Sequence, residues 1–418
     1  MKLQSALIQA ASDALTEVLR TQGPADHSVS RFFKAHRALG QQDRAFVAET
    51  VYGVLRRKRS LAAAAQNESP RALTLAALVR LHGLSARSVT DLVREKERAL
   101  LDLVRAAKPE DWPEAVQLDL PDWLWERLKS QGDETGARAI AQGLLSPAPM
   151  DLRVNTFKTD RDSVIARLRA DGLACEPTPL SPVGIRMAGK PTVNRHPLFL
   201  EGAIEVQDEG SQLLAALVAP RRGEMVVDFC AGAGGKTLAL GAMMKSSGRL
   251  YAFDVSAKRL SAMDPRLARS GLSNVHPVAL SSETDPRARR LAGKIDRVLV
   301  DAPCSGFGTL RRNPDLKWRF GEKDVEELVA KQGRILSAAA RLPRVGGRLV
   351  YATCSILSGE GEGVAATFLA AHPQFRSLSC ADILAGQNIP LDTGEHLRLY
   401  PHLQGTDGFF AAVFERVS

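Results

Sequence analysis

The sequence has no long hydrophobic run and few cysteines. No apolar stretch among its 418 residues reaches the roughly 18 residues that a membrane-spanning helix needs. The N-terminal segment has no continuous apolar centre of the kind found in signal peptides, so we expect a cytoplasmic protein without membrane contact. The five cysteines form no Cys-x-x-Cys pair, and the eight histidines form no cluster with ligand spacing. These absences argue against a disulfide framework and predict that the protein holds no metal.

Lys and Arg outnumber Asp and Glu by 56 to 47, which leaves a net charge of +9. Residues 1–110 contain 18 Lys and Arg against 11 Asp and Glu, so most of the excess lies near the N-terminus. The densest patch is "RRKRS" at Arg56–Ser60. A basic face of this kind suits a polyanion such as RNA, but a solvated basic helix surface would give the same pattern.

Three segments differ in composition and predict three domains. Residues 1–145 have apolar positions at helical spacing, with Gly83 and Ser85 marking a helix end and a helix start, and predict an all-α domain. Residues 146–210 open with Pro147 and Pro149 and then contain a short strand and a capped helix, which predicts a small α+β module. Residues 211–418 form the third domain.

Short apolar runs alternate with helical patterns through the third segment. This alternation predicts an α/β fold with a doubly wound, Rossmann-like parallel sheet. The predicted strands are "EMVVDF", "GRLYAFD", "NVHPVAL", "DRVLVDAP" and "GGRLVYATC". The C-terminal run "GFFAAVFERV" predicts a closing antiparallel strand at or near the edge of the sheet.

The stretch "VVDFCAGAGGKTLAL" predicts a strand, a loop of small residues and a helix. A Walker A loop needs glycine where this chain has Cys230, and a dinucleotide loop needs glycine where it has Thr237. Asp228 and Asp254 close the first two strands, and an acid at the second can accept hydrogen bonds from ribose hydroxyls. A nucleoside without phosphates fits best, and S-adenosylmethionine has that shape. A tight turn without a ligand is the alternative.

Two cysteines end two of the predicted strands. Cys304 follows "RVLVDAP" and Cys354 follows "GRLVYAT", so both should lie at the ligand crevice of the sheet. A thiolate that adds to C6 of cytosine makes C5 nucleophilic enough to accept a methyl group. Asp301 lies three residues before Cys304, where it can meet the N3/N4 edge of the base. Free cysteines are also often just small buried residues, which is the alternative.

These motifs resemble the cytosine-5 RNA methyltransferases of the RsmB/Nop2/Sun class. The matching stretches, in order, are "DFCAGAGGKT", "AFDVS", "DAPCSGFGTLRRNPDLKW", "YATCS" and "DGFFAAVF". The N-terminal "LGQQDRAFVAETVYGVLRRKRSL" is similar to the NusB-like domain of the RsmB branch, and "RVNTFKT" is similar to the strand that opens its RRM-like module. The resemblance implies methylation of a cytosine in small-subunit ribosomal RNA.

The resemblance also implies roles for single residues. Cys354 is the implied nucleophile, Cys304 the residue that aids product release, and Asp301 a contact to the cytosine edge and the cofactor. The implied contacts to S-adenosylmethionine are Cys230, Ala231, Gly232, Ala233, Gly234, Gly235, Lys236, Asp254 and Asp301. Arg311, Arg312 and Lys317 are predicted to contact RNA phosphates.

The chain departs from the family pattern at three places. The usual Ala-Ala-Pro of the loop is Ala231-Gly232-Ala233, and Glu-Glu-Asn after the Thr-Cys motif is replaced by "GEGE". No Gly-Asp pair follows the third strand, so Ser281 or Ser282 would contact the adenine. Two alternatives stay open: the same chemistry on transfer RNA, and a noncatalytic RNA-binding assembly factor. We expect a monomer.

Overall fold

The chain forms two compact units. The computed structural model describes residues 4–21 and 23–418. The helical unit comprises the chain up to Ser146 together with Thr309–Glu322, and the sheet unit comprises Pro147–Gly308 and Lys323–Ser418. The predicted domain boundaries at residues 145 and 210 stay a prediction, since the small module and the large sheet share one unit.

In the N-terminal part of the helical unit, the described residues form ten α-helices. They are α1 (Ser5–Arg20), α2 (Ala25–Ala35), α3 (Gln41–Arg56), α4 (Lys58–Ala65), α5 (Pro70–Arg80), α6 (Ala86–Thr90), α7 (Arg98–Ala106), α8 (Glu114–Gln117), α9 (Asp122–Lys129) and α10 (Glu134–Leu145). Ser69 caps α5 by accepting a hydrogen bond from the Ala72 N–H. Ser85, the predicted helix start, caps α6 by accepting from the Ser88 N–H. Their core is built from apolar residues of α1–α7.

Two helical patterns that look continuous in the sequence are interrupted. Residues 41–65 break at Arg57, and the N–H and Oγ of Ser60 in the second helix donate to the buried Asp119 carboxylate at 2.9 and 2.8 Å. Residues 86–106 break before α7, where the carboxylate of Glu97 accepts from the Arg94 N–H and pairs with Arg71. At each break, a buried carboxylate accepts hydrogen bonds from groups that would have different positions in a continuous helix.

The small module is a four-stranded antiparallel sheet with two helices. Its elements are β1 (Met150–Val154), α11 (Arg161–Ala170), β2 (Cys175–Pro177), β3 (Gly184–Met187), α12 (Pro197–Leu200) and β4 (Ile204–Val206), with strand order β2-β3-β1-β4. Asp160 caps α11 by accepting from the Ser163 N–H at 2.9 Å, and Gly172 follows that helix with a φ of 80°. Both agree with the capped helix predicted for residues 146–210.

The large sheet confirms the predicted Rossmann-like fold. Its elements are α13 (Glu209–Val218), β5 (Met225–Asp228), α14 (Gly235–Met243), β6 (Arg249–Asp254), α15 (Ala257–Ser261), α16 (Asp264–Ser270), β7 (Val275–Ala279), α17 (Pro286–Arg289), β8 (Ile295–Asp301), α18 (Leu316–Arg319), α19 (Glu322–Ala339), β9 (Pro343–Thr353), α20 (Glu362–Ala371), β10 (Phe375–Leu378), α21 (Cys380–Ala385), β11 (Leu397–Leu399), α22 (Pro401–Gln404) and β12 (Phe409–Arg416). Of these, α18 belongs to the helical unit.

Strand order in this sheet is β10-β12-β9-β8-β5-β6-β7, with β11 beside β12. The strands β5 to β9 run parallel, and β12 lies antiparallel between β9 and the edge strand β10. Their carboxyl ends therefore meet at one edge, which is where open α/β sheets bind ligands. Asp228, Asp254, Asp301 and Thr353 are the last residues of four of these strands.

The segment Thr309–Glu322 joins the helical core although it follows the Cys304 loop in sequence. The Trp318 indole N–H donates to the carbonyl of Leu55 at 2.6 Å, and the Lys317 ammonium donates to the carbonyl of Arg56 at 2.9 Å. Trp318 also packs against the apolar core of the helical unit. Among the described residues, no helix is both long and apolar enough to cross a membrane.

Candidate active site

The loop between β5 and α14 turns sharply around two glycines. Gly232 and Gly234 have φ angles of 55° and 84°, in the left-handed region that favours glycine. The Gly232 N–H donates to Oδ2 of Asp254 at 2.8 Å, and the Ser256 N–H donates to Oδ1 at 2.8 Å. One buried carboxylate thus ties the glycine loop to the end of β6. Arg259 also lies against it, with Nη1 3.5 Å from Oδ2.

Two arginines donate hydrogen bonds to backbone carbonyls of the same loop. Arg153 of β1 is buried, and its guanidinium donates to the carbonyl of Gly235 at 2.6 Å and to the side chain of Gln207. Arg266 donates to the carbonyl of Ala233 at 2.7 Å and pairs with Glu205 at 2.8 Å. Two carbonyls of the loop are therefore fixed by the small module and by α16. The remaining edge of the loop borders a cleft.

The two predicted cysteines lie side by side at the end of the sheet. The Sγ atoms of Cys304 and Cys354 are 3.3 Å apart, and both residues are free thiols that line the cleft. The hydrogen bond to Cys354, together with burial, raises the pKa of the Cys304 thiol well above its usual value. A raised pKa keeps the proton on Cys304 at neutral pH, so this thiol can donate it in a hydrogen bond to the Cys354 sulfur.

A partly buried ion pair lies beside the thiol pair. Nζ of Lys236 lies 2.6 Å from Oδ2 of Asp301. Burial lowers the pKa of Lys236, but the Asp301 carboxylate and the negative charge on Cys354 more than offset this, so the pKa is raised overall. The ammonium group thus stays charged at neutral pH and stabilises negative charge on the Cys354 sulfur. At Asp228, burial raises the pKa to about 7.

These groups share one cleft of about 290 Å³. The lining residues are Phe229, Cys230, Asp254, Val255, Arg259, Leu280, Ser282, Glu283, Asp301, Ala302, Pro303, Cys304, Lys331, Ile335 and Cys354. Burial raises the pKa of the Cys230 thiol, so this thiol is neutral at physiological pH. Ser282 lies at the cleft, whereas Ser281 is engaged with Asp285. An apolar wall and a few converging polar groups are typical of a small-molecule site.

The prediction of phosphate contacts needs correction for two basic residues. Arg311 and Lys317 are buried, with 4% and 2% of their surface exposed, and therefore do not present charge to solvent. Burial lowers the pKa of Lys317 to about 7, and its ammonium bonds to the carbonyl of Arg56. Both residues serve the packing of the helical unit. Arg312 is only half-buried, so its predicted RNA contact stays a prediction.

The sequence analysis missed a buried carboxylate behind the thiols. Glu360 is fully buried and accepts hydrogen bonds from Ser305 and Ser355, the residues that directly follow the two cysteines. It lies in "GEGE", which the sequence analysis noted only as a departure from the family. A small signal was present, because two Cys-Ser pairs predict two hydroxyls that need an acceptor if they are buried.

Comparisons with known proteins agree with this geometry. The profile of the family described as 16S rRNA methyltransferase RsmB/F matches residues 215–415, and the profile of the ferredoxin-like domain of RsmF/B-like methyltransferases matches residues 120–194. A curated relative from Synechocystis sp., named as a probable ribosomal RNA small subunit methyltransferase B, is 30% identical over 95% of this chain and 96% of its own length. The chain belongs to the RsmB/F methyltransferase family. The resemblance inferred from its motifs is confirmed.

Solved structures support the same placement in the RsmB/F fold. The structure titled PH0851 superposes over all of both chains with a TM-score of 0.80 and 27% identity. A methyltransferase homolog protein from Pyrococcus horikoshii is 29% identical, with a TM-score of 0.63 over 74% of this chain and 100% of its own. These likenesses cover the methyltransferase sheet that carries the cleft. The NusB-like character of the helical unit stays a prediction.

Proposed function

We propose that this protein transfers a methyl group from S-adenosylmethionine to C5 of a cytosine in small-subunit ribosomal RNA. The observation that supports it most is the pair of thiols, 3.3 Å apart, beside the Lys236–Asp301 ion pair. Neither a dinucleotide oxidoreductase nor a phosphate-binding enzyme needs two adjacent free thiols. Methylation at C5 needs one sulfur that adds to the base, and a second group that helps to expel that sulfur afterwards.

The loop residues fit the methyl donor. Gly232 and Gly234 have positive φ angles, and a Cβ on Gly234 would lie 2.5 Å from Cγ of the buried Met263, so glycine suits the turn at both positions and the packing at Gly234. Asp254 offers a carboxylate for ribose hydroxyls, and Leu280 and Ile335 offer an apolar wall. When bound, S-adenosylmethionine supplies an electrophilic methyl group attached to a sulfonium.

Cys354 prepares the base by covalent addition. Its thiolate forms an Sγ–C6 bond, and the electron pair of the C5=C6 bond moves onto C5, where it is shared with C4 and N3. This makes C5 nucleophilic. The ammonium group of Lys236 stabilises the thiolate before the addition. Asp301, held by Lys236, is positioned to contact the N3/N4 edge of the base. We assign these roles together because Cys354 and Asp301 line the same cleft and Lys236 is paired with Asp301.

Release requires the Sγ–C6 bond to break. After methylation, C5 gives its proton to water, the electrons of the C5–H bond restore the C5=C6 bond, and the electrons of the Sγ–C6 bond return to sulfur. The protonated Cys304 thiol can donate a hydrogen bond to that sulfur as its charge develops, because the two Sγ atoms are 3.3 Å apart. This assigns attack to Cys354 and assistance in release to Cys304.

The substrate class is supported by the relatives and by charge. The Synechocystis relative is named for the small ribosomal subunit, and residues 1–110 carry a positive excess suited to RNA. We propose that the helical unit contributes RNA binding. Transfer RNA and a noncatalytic role in ribosome assembly are the competing possibilities, and the next experiment separates them.

The test uses purified protein, labelled S-adenosylmethionine and separate pools of unmodified ribosomal and transfer RNA. 5-Methylcytosine is measured by nucleoside mass spectrometry for the wild type, Cys354→Ala and the control Cys175→Ala, whose cysteine lies in β2 of the small module. Label in ribosomal RNA that disappears only in Cys354→Ala supports the proposal. Label only in transfer RNA overturns the substrate, and no label in either pool favours the assembly role.

Cys304→Ala provides a second test with a different readout. Addition should proceed while release slows, so a protein–RNA adduct that resists denaturing gel conditions should accumulate. The double variant Cys304→Ala/Cys354→Ala should form no adduct. Adduct formation that persists without Cys354 would show that another group is the nucleophile.

A further inference from the structure

Behind the thiol pair lies a carboxylate that the mechanism above does not use. Glu360 follows β9 and is fully buried. Its Oε1 accepts from the Ser305 N–H at 2.8 Å and from the Gln332 side chain at 2.9 Å. Its Oε2 accepts from the hydroxyls of Ser305 at 2.5 Å and Ser355 at 2.6 Å. All four donors are neutral groups.

The connections of this carboxylate point to the cysteines. Ser305 directly follows Cys304, and Ser355 directly follows Cys354, so one side chain holds the backbone after both thiols. Gln332 of α19 extends the cluster, because it also donates to the carbonyl of Pro303 at 3.0 Å. A carboxylate with four donors in a buried cluster fixes its neighbours, since breaking any bond would leave a polar group unpaired.

The two thiols interact differently with the charged groups around them. Negative charge on Glu360 contributes to raising the pKa of Cys304, after the hydrogen bond to Cys354, burial and the charge on Cys354 itself. Negative charge on Cys354 helps to raise the pKa of Lys236, so Cys354 interacts favourably with an ammonium group. The negative charge of Glu360 therefore disfavours a thiolate at Cys304, whereas the positive charge of Lys236 favours one at Cys354.

Other titratable groups around Cys304 do not reproduce this asymmetry. Burial raises the pKa of Tyr351 well above its usual value, so this phenol is neutral, and it donates to the carbonyl of Glu360 at 2.7 Å. Arg398 of β11 donates to the carbonyl of Ser355 and pairs with Glu362. Among these groups, Glu360 supplies the negative charge that acts on Cys304.

We propose that Glu360 is a positioning residue that fixes the spacing of the two thiols and keeps Cys304 protonated while Cys354 reacts. The inference rests on the proposed function for its catalytic meaning. The unequal reactivity of the two thiols, however, is a property of the protein without RNA or methyl donor. It can therefore be measured even if the proposed reaction is wrong.

The test is alkylation of the full-length protein with iodoacetamide between pH 6 and 10. The thiolate forms an S–C bond, iodide leaves, and the thiol proton passes to solvent. Initial rates at Cys304 and Cys354 are read separately by peptide mass spectrometry at low conversion. In the wild type, Cys354 should react faster than Cys304 throughout the neutral range. The reverse order would overturn the proposal without any variant.

Glu360→Gln removes the charge but keeps the shape and two hydrogen-bonding atoms. The ratio of the Cys304 rate to the Cys354 rate at pH 8 should rise about three- to tenfold, because the fraction of Cys304 present as thiolate grows by that factor. Glu360→Asp keeps the charge and should leave that ratio within about twofold of the wild type. Glu326→Gln, an exposed carboxylate on α19, is the control for a lost charge. An unchanged ratio in Glu360→Gln overturns the proposal, even if both rates rise together.

Methyl transfer gives a second reading. In Glu360→Gln, the alkaline limb of the kcat profile should move to lower pH while KM for RNA stays unchanged. A loss of kcat that is the same at every pH would indicate a purely structural role and would overturn the charge assignment. If the wild type methylates no RNA, the proposed function fails, but the alkylation ratio still decides the role of Glu360.

Discussion

A pair of glycine substitutions separates backbone strain from steric contact in the cofactor loop. Gly234 and Gly223 have φ angles of 84° and 82°, so alanine at either position meets the same left-handed backbone penalty of about 1–2 kcal/mol. Their surroundings differ. A Cβ on Gly234 would lie 2.5 Å from Cγ of the fully buried Met263, whereas a Cβ on Gly223 would meet nothing within 4 Å.

The contact adds an overpacking cost at Gly234 alone. Forcing extra volume into a packed site costs about 1–3 kcal/mol. If the loop escapes this cost by leaving its native conformation, binding of S-adenosylmethionine weakens by a factor of about 5 to 150, since 1.4 kcal/mol is tenfold. Gly223 precedes β5, at the end of that strand opposite the cleft, so Gly223→Ala should leave this affinity within about twofold.

Isothermal titration calorimetry with S-adenosylmethionine measures both affinities, and thermal unfolding measures both stabilities. Gly223→Ala should lower the unfolding temperature without changing the affinity, and Gly234→Ala should lower both. An unchanged affinity in Gly234→Ala would refute the claim that the close approach of the loop to Met263 shapes the cofactor site. An equal loss of affinity in both variants would refute the claim that the effect is local.

Three further substitutions probe charge. Burial lowers the pKa of Lys317 from 10.5 to about 7. Above pH 7 the unfolded chain therefore holds a proton that the folded chain has released, and the free energy of unfolding should rise with pH by up to roughly 5 kcal/mol. Lys317→Met should abolish that rise, as judged by thermal unfolding at pH 6.5 and 9.5. Lys236→Met should lower kcat/KM by about 10²–10³ and move the acidic limb of the pH–rate profile upwards, because the thiolate of Cys354 loses its ammonium. Asp254→Asn replaces a charged acceptor of the Gly232 N–H and should weaken S-adenosylmethionine binding about tenfold or more, measured by calorimetry.

Much of the site is predictable because of sheet geometry. The sequence places Cys304 three residues after Asp301 and Cys354 two residues after Ala352, and the structure pairs Asp301 with Ala352 on adjacent parallel strands. Two short loops that leave neighbouring strand ends must come close together. Proximity of the thiols therefore follows from recognising two strands and their parallel order, which the alternation of apolar runs and helical patterns indicates.

Other features depend on contacts between distant positions and have no local pattern. Thr309–Glu322 carries four basic residues and reads as an exposed RNA-binding loop, yet Arg311 and Lys317 are buried within the helical unit. Basic residues are rarely buried, so composition predicts the wrong environment for them. Their burial is possible because backbone carbonyls, such as that of Arg56, accept the hydrogen bonds of the Lys317 ammonium.

The two cysteine motifs are nearly equivalent in sequence, since each is an apolar strand followed by Cys and Ser. Equivalent thiols 3.3 Å apart would compete for one proton, and neither would be reserved for attack. The structure removes that equivalence with residues outside both motifs. The ammonium of Lys236 stabilises charge on Cys354, and the carboxylate of Glu360 disfavours charge on Cys304. Under the proposed roles, the division between attack at Cys354 and release at Cys304 therefore depends on these two charged groups rather than on the cysteine motifs themselves.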